Sequence, residues 1–343
     1  MELVKRGFEV FAVIPRSQNQ RTVEQIDGMR VYGLPYPTSL KDSVASEILA
    51  RALAPLFYSK CRADIYHSIN PSFYTLLAQL ASPAAKHLIA LCDLRDMYDW
   101  KTISTVPFPA TSANRIRASP VEAPFLRRIV LRAQGTYALT DHLAEKAVKM
   151  YGLKTSPPVL RQPIEVPKTK MRKSARPLVC FLGRLDPIKR PWIFFELARE
   201  FPSVEFRVMG QTTVPSHYYD LIKPYGHFQN LKFLGWVFGD RKSKVLEESW
   251  VLANTSVHEA LPISFLEAWG HECAILSSAN PDGLVGRYGY WARDGNYVNG
   301  LHQLLQNNTW RELGKNGRQY VETHHDIDRS VGQVIDIYRS VLT

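Results

Sequence analysis

Glu259 and Glu267 stand eight positions apart in Asn254-Thr-Ser-Val-His-Glu-Ala-Leu-Pro-Ile-Ser-Phe-Leu-Glu267. The segment opens as a short β-like run, crosses a Pro-containing loop and enters an amphipathic stretch. One carboxylate therefore falls at the C-terminal end of a strand and the other in the first turn of a helix. In an open α/β sheet, nucleotides and phosphates bind in that crevice. Each acid also has a plainer reading. Ser264-Phe-Leu-Glu267 fits the S-x-x-E capping box, in which the Glu only satisfies a backbone N–H, and Glu259 reads equally as a solvated loop acid.

A second constellation lies upstream. Gly183-Arg-Leu-Asp-Pro-Ile-Lys-Arg190 leaves a strand and enters a helix. The Gly permits close backbone approach, and Arg184 and Lys189 reach out from one loop. Two cations so placed neutralise a diphosphate without a metal, through charge-assisted hydrogen bonds. The plainer reading is a solvated loop in which Asp186 pairs one of them. Two acids and two cations at strand ends together suggest a nucleotide-sugar site.

The elements that must position these groups follow from the pattern of the chain. Short apolar runs alternate with amphipathic stretches throughout, which predicts βαβ units and parallel sheets. With 343 residues, two α/β domains fit better than one core. In the first half, Phe8–Ile14, Ile65–His67, His87–Cys92 and Thr136–Leu139 read as strands. Ser43–Lys60, Phe73–Leu80, Val121–Arg132 and Asp141–Tyr151 read as helices. Periodicity breaks over Pro157–Arg176, rich in Pro, Lys and Arg. The expected division is a first domain at 1–165, a linker at 166–176, a second domain at 177–325 and a last helical segment at 326–343.

The second domain reads as strands Leu178–Leu182, Glu205–Met209, Leu231–Leu234, Trp250–Ala253 and Ala274–Leu276. They alternate with helices Trp192–Glu200, Tyr218–Tyr225, Arg241–Glu247 and Ser264–Gly270. Helices Tyr297–Gln306, Thr309–Thr323 and Ile327–Val341 close the chain. At the start, Met1-Glu-Leu-Val-Lys-Arg-Gly7 reads as the last turns of a helix running into a strand. The strand and Gly-rich turn that normally open a doubly wound domain are not in this stretch, so the expectation is a first sheet that lacks its usual central strand or a sequence that starts late.

Composition excludes several classes. Apolar residues make up 45% and charged residues 22%, an ordinary globular balance. Cys61, Cys92, Cys180 and Cys273 are scattered without metal-ligand spacing and read as free thiols in a reducing compartment. No apolar run reaches the roughly 20 residues needed to span a bilayer, so the expectation is a cytoplasmic protein, peripheral at most. Residues 1–170 carry 23 Lys/Arg against 14 Asp/Glu, and the remainder 20 against 18. Arg115, Arg117, Arg127, Arg128 and Arg132 form the densest basic cluster. An anionic membrane surface or lipid diphosphate suits that half, as does a merely solvated face. Nucleic acid is not expected, because no aromatic-basic motif accompanies the charge.

The motifs resemble a family. Phe181-Leu-Gly-Arg-Leu-Asp-Pro-Ile-Lys189, Val208-Met-Gly210, Phe233-Leu-Gly-Trp-Val237 and Glu259-Ala-Leu-Pro-Ile-Ser-Phe-Leu-Glu267 occur in the order and spacing of the donor domain of family 4 retaining glycosyltransferases. The likeness is specific over roughly 178–300 and looser before. It implies the GT-B fold, two Rossmann-like domains facing across a cleft, and transfer of a sugar from a nucleoside diphosphate sugar to a hydroxyl acceptor with retention, without a cofactor or required metal. By the resemblance, Arg184 and Lys189 hold the donor diphosphate, Glu267 accepts hydrogen bonds from the ribose, and Gly183 and Gly210 are among the donor-binding residues. Glu259 faces the transferred sugar. Leu261, Pro262 and Ile263 line the sugar or phosphates, and Gly235 and Trp236 lie beside the base. Glu259, Arg184 and Lys189 are then the catalytic set.

Departures bear on this. Ala260 and Pro262 stand where the family usually has Gly, and Pro262 supplies no N–H. Arg95-Asp96 occupies the place of a His-Asp pair, either facing the cleft or pairing with each other. His67 and Asn70, at another strand end, are acceptor-side candidates, although a satisfied structural His reads equally well. The acceptor is expected to be a lipid-linked or polysaccharide precursor. The competing reading is a non-catalytic nucleotide-sugar-binding subunit or truncated remnant. Asp326-Ile-Asp328 superficially matches a metal-binding D-x-D but reads better as a helix N-cap. No G-x-G-x-x-G follows a strand, against a nicotinamide dehydrogenase.

Overall fold

The computed structural model describes residues 1–16, 21–35, 43–106, 122–212 and 215–343. Arg115, Arg117 and the first residue of the helix expected from Val121 lie outside them.

Residues 177 onward form one six-stranded sheet of β7 (Leu178–Leu182), β8 (Glu205–Met209), β9 (Leu231–Gly235), β10 (Val251–Asn254), β11 (Ala274–Ser277) and β12 (Gly289–Trp291). Its order is β12-β11-β10-β7-β8-β9 and every pairing is parallel. β10 and β11 are buried along their whole length, as strands covered on both faces by helices must be. Phe194, Phe195, Phe206 and Leu301 fill one side. Phe265, Leu266, Trp269 and Val321 fill the other. The chain starts in the middle at β7, runs outward to β9, then returns to β10 on β7's other edge. That reversal makes a crevice at the C-terminal ends of β7 and β10, the place where such sheets bind ligands.

The first half departs from a single doubly wound sheet. β1 (Phe11–Pro15), β2 (Val23–Ile26) and β3 (Met29–Leu34) form one sheet in the order β1-β3-β2. β4 (Ile65–Ile69), β5 (Lys86–Leu91) and β6 (Gly135–Ala138) form another in the order β4-β5-β6. The two share a core: Tyr32 and Leu34 of β3 and Tyr66 of β4 pack with Ala50, Ala54 and Phe57 of helix Ser43–Cys61. Among the described residues no strand joins β1 to β4, so the layer is divided there. The sequence pattern also passes over the antiparallel β2–β3 hairpin, whose turn is Asp27-Gly28 with φ of 49° and 79°. Asp-Gly is a strong hairpin signal because both residues tolerate positive φ.

Helix Asp141–Tyr151 shows how local sequence sets an element. The Thr140 side chain accepts from Leu143 N at its start, and Gly152 ends it at φ 60°, the left-handed conformation that costs glycine nothing. The last helix, Ile327–Leu342, lies against the first half: Val334, Ile337 and Tyr338 pack on Leu88, Ala90 and Tyr137. Asp326 caps it by accepting from Arg329 N at 2.9 Å. Among the described residues, no helix is long and apolar enough to cross a membrane.

Candidate functional site

Backbone pairings bring three loops to one floor. Beyond β7, Gly183 N donates to Met209 O at 3.0 Å; beyond β8, Gly210 N donates to Gly235 O at 2.8 Å. Gly183, Gly210 and Gly235 thus lie side by side at the ends of β7, β8 and β9. The need for glycine is sharpest at Gly210, which has φ 155°, and a Cβ there would sit 1.8 Å from Gly183 O. The close approach expected at Gly183 is therefore enforced by its neighbour. A Cβ on Gly183 would meet nothing closer than the Phe181 ring at 3.7 Å.

Above this floor lies a cavity of about 130 Å³ lined by Leu182, Gly183, Met209, Trp236, Val237, Phe238, Lys242 and Glu267. Trp236 and Phe238 stack with centroids 6.2 Å apart at 15°, and both rings are exposed, a flat apolar platform at the mouth. Glu267 accepts from Lys242 Nζ at 2.5 Å. The capping-box alternative is not realised. Helix Ile263–Gly270 takes Pro262 as its N-cap, without a side-chain cap, so Ser264 lies two positions too deep to cap. Pro262 also spends nothing there, since an N-cap needs no N–H of its own for the helix. Leu261 is buried in the core beneath, while Ile263 is half exposed.

The two loops at the topological reversal are laced together. Val257 N donates to Ile188 O at 2.9 Å. Thr255 Oγ1 donates to Lys189 O at 2.7 Å, and Arg190 Nε to Thr255 O at 2.7 Å. This lacing delivers Lys189 Nζ to Glu259 Oε1 at 2.6 Å. The same oxygen accepts from Asn254 Nδ2 at 2.9 Å and Ser256 Oγ at 2.5 Å. Glu259 is only 9% exposed, and three donors to one buried carboxylate oxygen fix its orientation. It is not a solvated loop acid. Arg184 stays half exposed, 3.3 Å from Asp186.

The first-half candidates are committed to internal bonds. His67 takes the structural alternative. Its Nδ1 lies 2.8 Å from Tyr338 Oη and its Nε2 3.1 Å from Tyr137 Oη, so both ring nitrogens are occupied. Burial holds its pKa down to about 4, and it is neutral at pH 7. Asn70 is likewise structural: at φ 62°, its Oδ1 accepts from Cys92 N at 2.7 Å and Asp93 N at 2.9 Å. Arg95 and Asp96 do not pair with each other. Arg95 bonds Asp93 at 2.6 Å, and Asp96 caps helix Met97–Ser104, accepting from Tyr98 N and Asp99 N. That helix, unread in the sequence, pulls the segment away from a simple strand-end pair.

Two side chains went unread. Lys242 sits on helix Gly239–Glu248, one turn beyond the aromatic pair, where a lysine in a run of charged residues looks like a solvated face. His258 precedes Glu259 and bridges to Asp93 and Asp99, a contact between distant segments that no local pattern encodes.

Comparison with known proteins bears on this geometry. Residues 176–307 match the family described as Glycosyl transferases group 1, a span containing all the second-half groups above. Sucrose-phosphate synthase from Thermosynechococcus elongatus superposes on 99% of this chain and 90% of its own, with a TM-score of 0.76 at 14% identity. The fold is GT-B. S. aureus TarM, in a complex with fondaparinux, alpha-GlcNAc-glycerol and UDP, matches 84% of this chain at TM-score 0.65 and 14% identity. The pneumococcal O-GlcNAc transferase GtfA, with UDP and GlcNAc, matches 95% at TM-score 0.60 and 13% identity. The chain spans 59% of the former and 64% of the latter. No curated protein matches in sequence.

Proposed function

We propose that this chain transfers a glycosyl group from a nucleoside diphosphate sugar to a hydroxyl acceptor with retention of configuration. The observation that carries the reading is the Lys189–Glu259 pair at the topological reversal, 2.6 Å apart, beside the cavity of Glu267, Lys242 and the Trp236–Phe238 platform. The aromatic platform and cavity take the nucleoside, with the ribose hydroxyls donating to Glu267. Arg184 and Lys189 meet the diphosphate. As the sugar–phosphate bond breaks, negative charge grows on the departing oxygen, and preoriented cations stabilise it most at that moment. The cations also give the diphosphate its counter-charge, which is the ground for reading the reaction as metal-independent.

Glu259 faces the transferred sugar as an orienting and charge-balancing group. Three donors on its Oε1 suit an orienting role, and we read the reaction as front-side attack by the acceptor hydroxyl. The first half takes the acceptor. Its balance of basic residues, with Ile48, Leu49 and Leu56 exposed on helix Ser43–Cys61 and Leu80 on its neighbour, suits a lipid-linked acceptor at an anionic membrane surface of the cytoplasm. A polysaccharide or glycolipid product follows.

One observation favours the non-catalytic alternative: His67, Asn70, Arg95 and Asp96 are all committed to internal bonds. Release of nucleoside diphosphate from a donor sugar separates the two readings.

Glu267→Gln tests the ribose role. The amide keeps the shape but loses the charge that ribose hydroxyls and Lys242 share. A hydrogen bond to a charged group contributes about 1.5–3 kcal/mol, so calorimetric titration with UDP should show affinity about 10–100-fold weaker. The melting temperature should move little, since the helix does not rely on this side chain for a cap. Unchanged affinity would remove the ribose assignment.

A further inference from the structure

The loop that delivers Glu259 to the donor side also reaches the other half. His258 Nε2 lies 3.2 Å from Asp93 Oδ1 and its Nδ1 3.4 Å from Asp99 Oδ1. Asp93 follows β5, and Asp99 lies in helix Met97–Ser104. His258 and Asp99 are each 13% exposed and Asp93 35%, so the Asp99 arm of the bridge is the one shielded from water. The acids are held from behind. Arg95 bonds Asp93 at 2.6 Å. Lys146, from helix Asp141–Tyr151, pairs with Asp99 and lies 3.2 Å from Asp96. The residue after Glu259, Ala260, packs on the first-half core of Ile89, Leu91 and Leu94. Three consecutive residues therefore alternate in allegiance: His258 to first-half acids, Glu259 to second-half donors, Ala260 to the first-half core.

We infer that His258 is a positioning residue, which uses Asp93 and Asp99 to register the first half of the molecule on the loop that carries Glu259. A sugar on the donor side and a hydroxyl on the acceptor side must meet within a fraction of an ångström, and small misplacements are costly. A bridge anchored one residue from Glu259 transmits the placement of one half directly to the reacting end of the other. A second tie, from Asp282 to Asp141 N and His142 N at 3.2 and 3.0 Å and to Arg161 at 3.1 Å, involves the crossover segment. It fastens the halves where the chain passes between them. The His258 bridge fastens them at the loop.

The charge state follows from the surroundings. Burial alone would push the imidazolium to lower pKa, but hydrogen bonds to Asp93 and Asp99 outweigh it, and the net value rises to about 9. The groups facing it across the bridge are Asp93, Arg95, Asp96, Asp99 and Lys146. On its own loop the nearest charge is Glu259, which Lys189 balances. Because the folded pKa lies above the ordinary value of about 6.5, the bridge's contribution is complete below about pH 6.5. It declines as pH rises and is lost above about pH 9.

The test is hydrogen exchange on the full chain, comparing wild type with His258→Gln and Asp99→Asn. The expected result is exchange at least tenfold faster in peptides spanning residues 92–104 and 254–262, with the β7 peptide unchanged. UDP affinity should stay within about threefold while turnover with a donor sugar falls at constant donor KM. Exchange at wild-type rates in both peptides, or acceleration spread over the whole second-half sheet, overturns the inference. Should the variants not fold, wild type taken from pH 7 to pH 10 must show the same two peptides loosening, after correction for base catalysis; protection constant across that range overturns it equally. The kinetic arm rests on the glycosyl-transfer reading. The exchange arm does not, so absent UDP binding with loosened peptides would defeat that reading and leave the bridge standing.

Discussion

Gly210→Ala is expected to abolish nucleotide binding and to destabilise the protein by about 3 kcal/mol or more, at the upper end of overpacking costs. The added methyl would lie 1.8 Å from Gly183 O, a backbone atom that no rotamer change can move aside. The φ of 155° is moreover one that side-chain-bearing residues rarely adopt. Relief requires the loops after β7 and β8 to separate. Those loops carry Gly183 and Gly210, the floor of the cavity, so binding is lost with stability. Gly183→Ala is the control. Its methyl would approach only the Phe181 ring, at 3.7 Å, and should cost well under 1 kcal/mol, within the range of innocuous substitutions. Urea denaturation of both variants checks the contrast, and equal stability of the two would contradict this picture of the floor.

Lys189→Met carries the largest expected effect on turnover. Removing one preorganised group that stabilises a developing anion typically costs about 10²–10³ in kcat, and that loss is expected in release of nucleoside diphosphate from the donor. Stability should fall as well, by roughly 1–3 kcal/mol, because Glu259 keeps its charge with one partner fewer. Asn254 and Ser256 still donate to it, which limits the damage. Adding Glu259→Gln to Lys189→Met removes the uncompensated charge and should restore most of the stability but none of the turnover, a non-additivity expected for side chains in contact. Recovery of turnover in the double variant would mean that Lys189 serves only to balance Glu259.

Much of the second half was legible because its elements are strongly periodic and punctuated. Leu178–Leu182 and Glu205–Met209 are continuous apolar or alternating runs whose bounds coincide with β7 and β8. Lys189 and Glu259 could each be placed at a strand end. Their 2.6 Å contact could not, because it depends on strand order, and β7 and β10 are neighbours only through the reversal of the chain. The capping-box reading of Glu267 failed for a comparable reason: Pro262, already at an N-cap φ of −65°, starts the helix two residues earlier than Ser264 would.

The first half was harder. The Asp27-Gly28 hairpin is short and flanked by Val23-Glu-Gln-Ile26, whose exposed residues give no clear apolar face. His67 could be read as a site residue or as a satisfied structural histidine, and local pattern does not choose between them. Its two tyrosine partners come from positions 137 and 338, far away in sequence. His258 was invisible for the same physical reason. Its importance lies in two aspartates more than 150 positions upstream, and only the closed molecule brings them together.

The central claim is that the crevice at the ends of β7 and β10 binds a nucleoside diphosphate. Thermal unfolding in the presence of UDP, GDP or ADP tests it most directly, since a ligand at 100 times its Kd adds about 2.7 kcal/mol of stability. At millimolar concentration, at least one of the three is predicted to raise the melting temperature of wild type by several degrees, and that shift should disappear in Gly210→Ala or Lys189→Met. No shift with any of the three, or a shift that persists in both variants, would contradict the assignment.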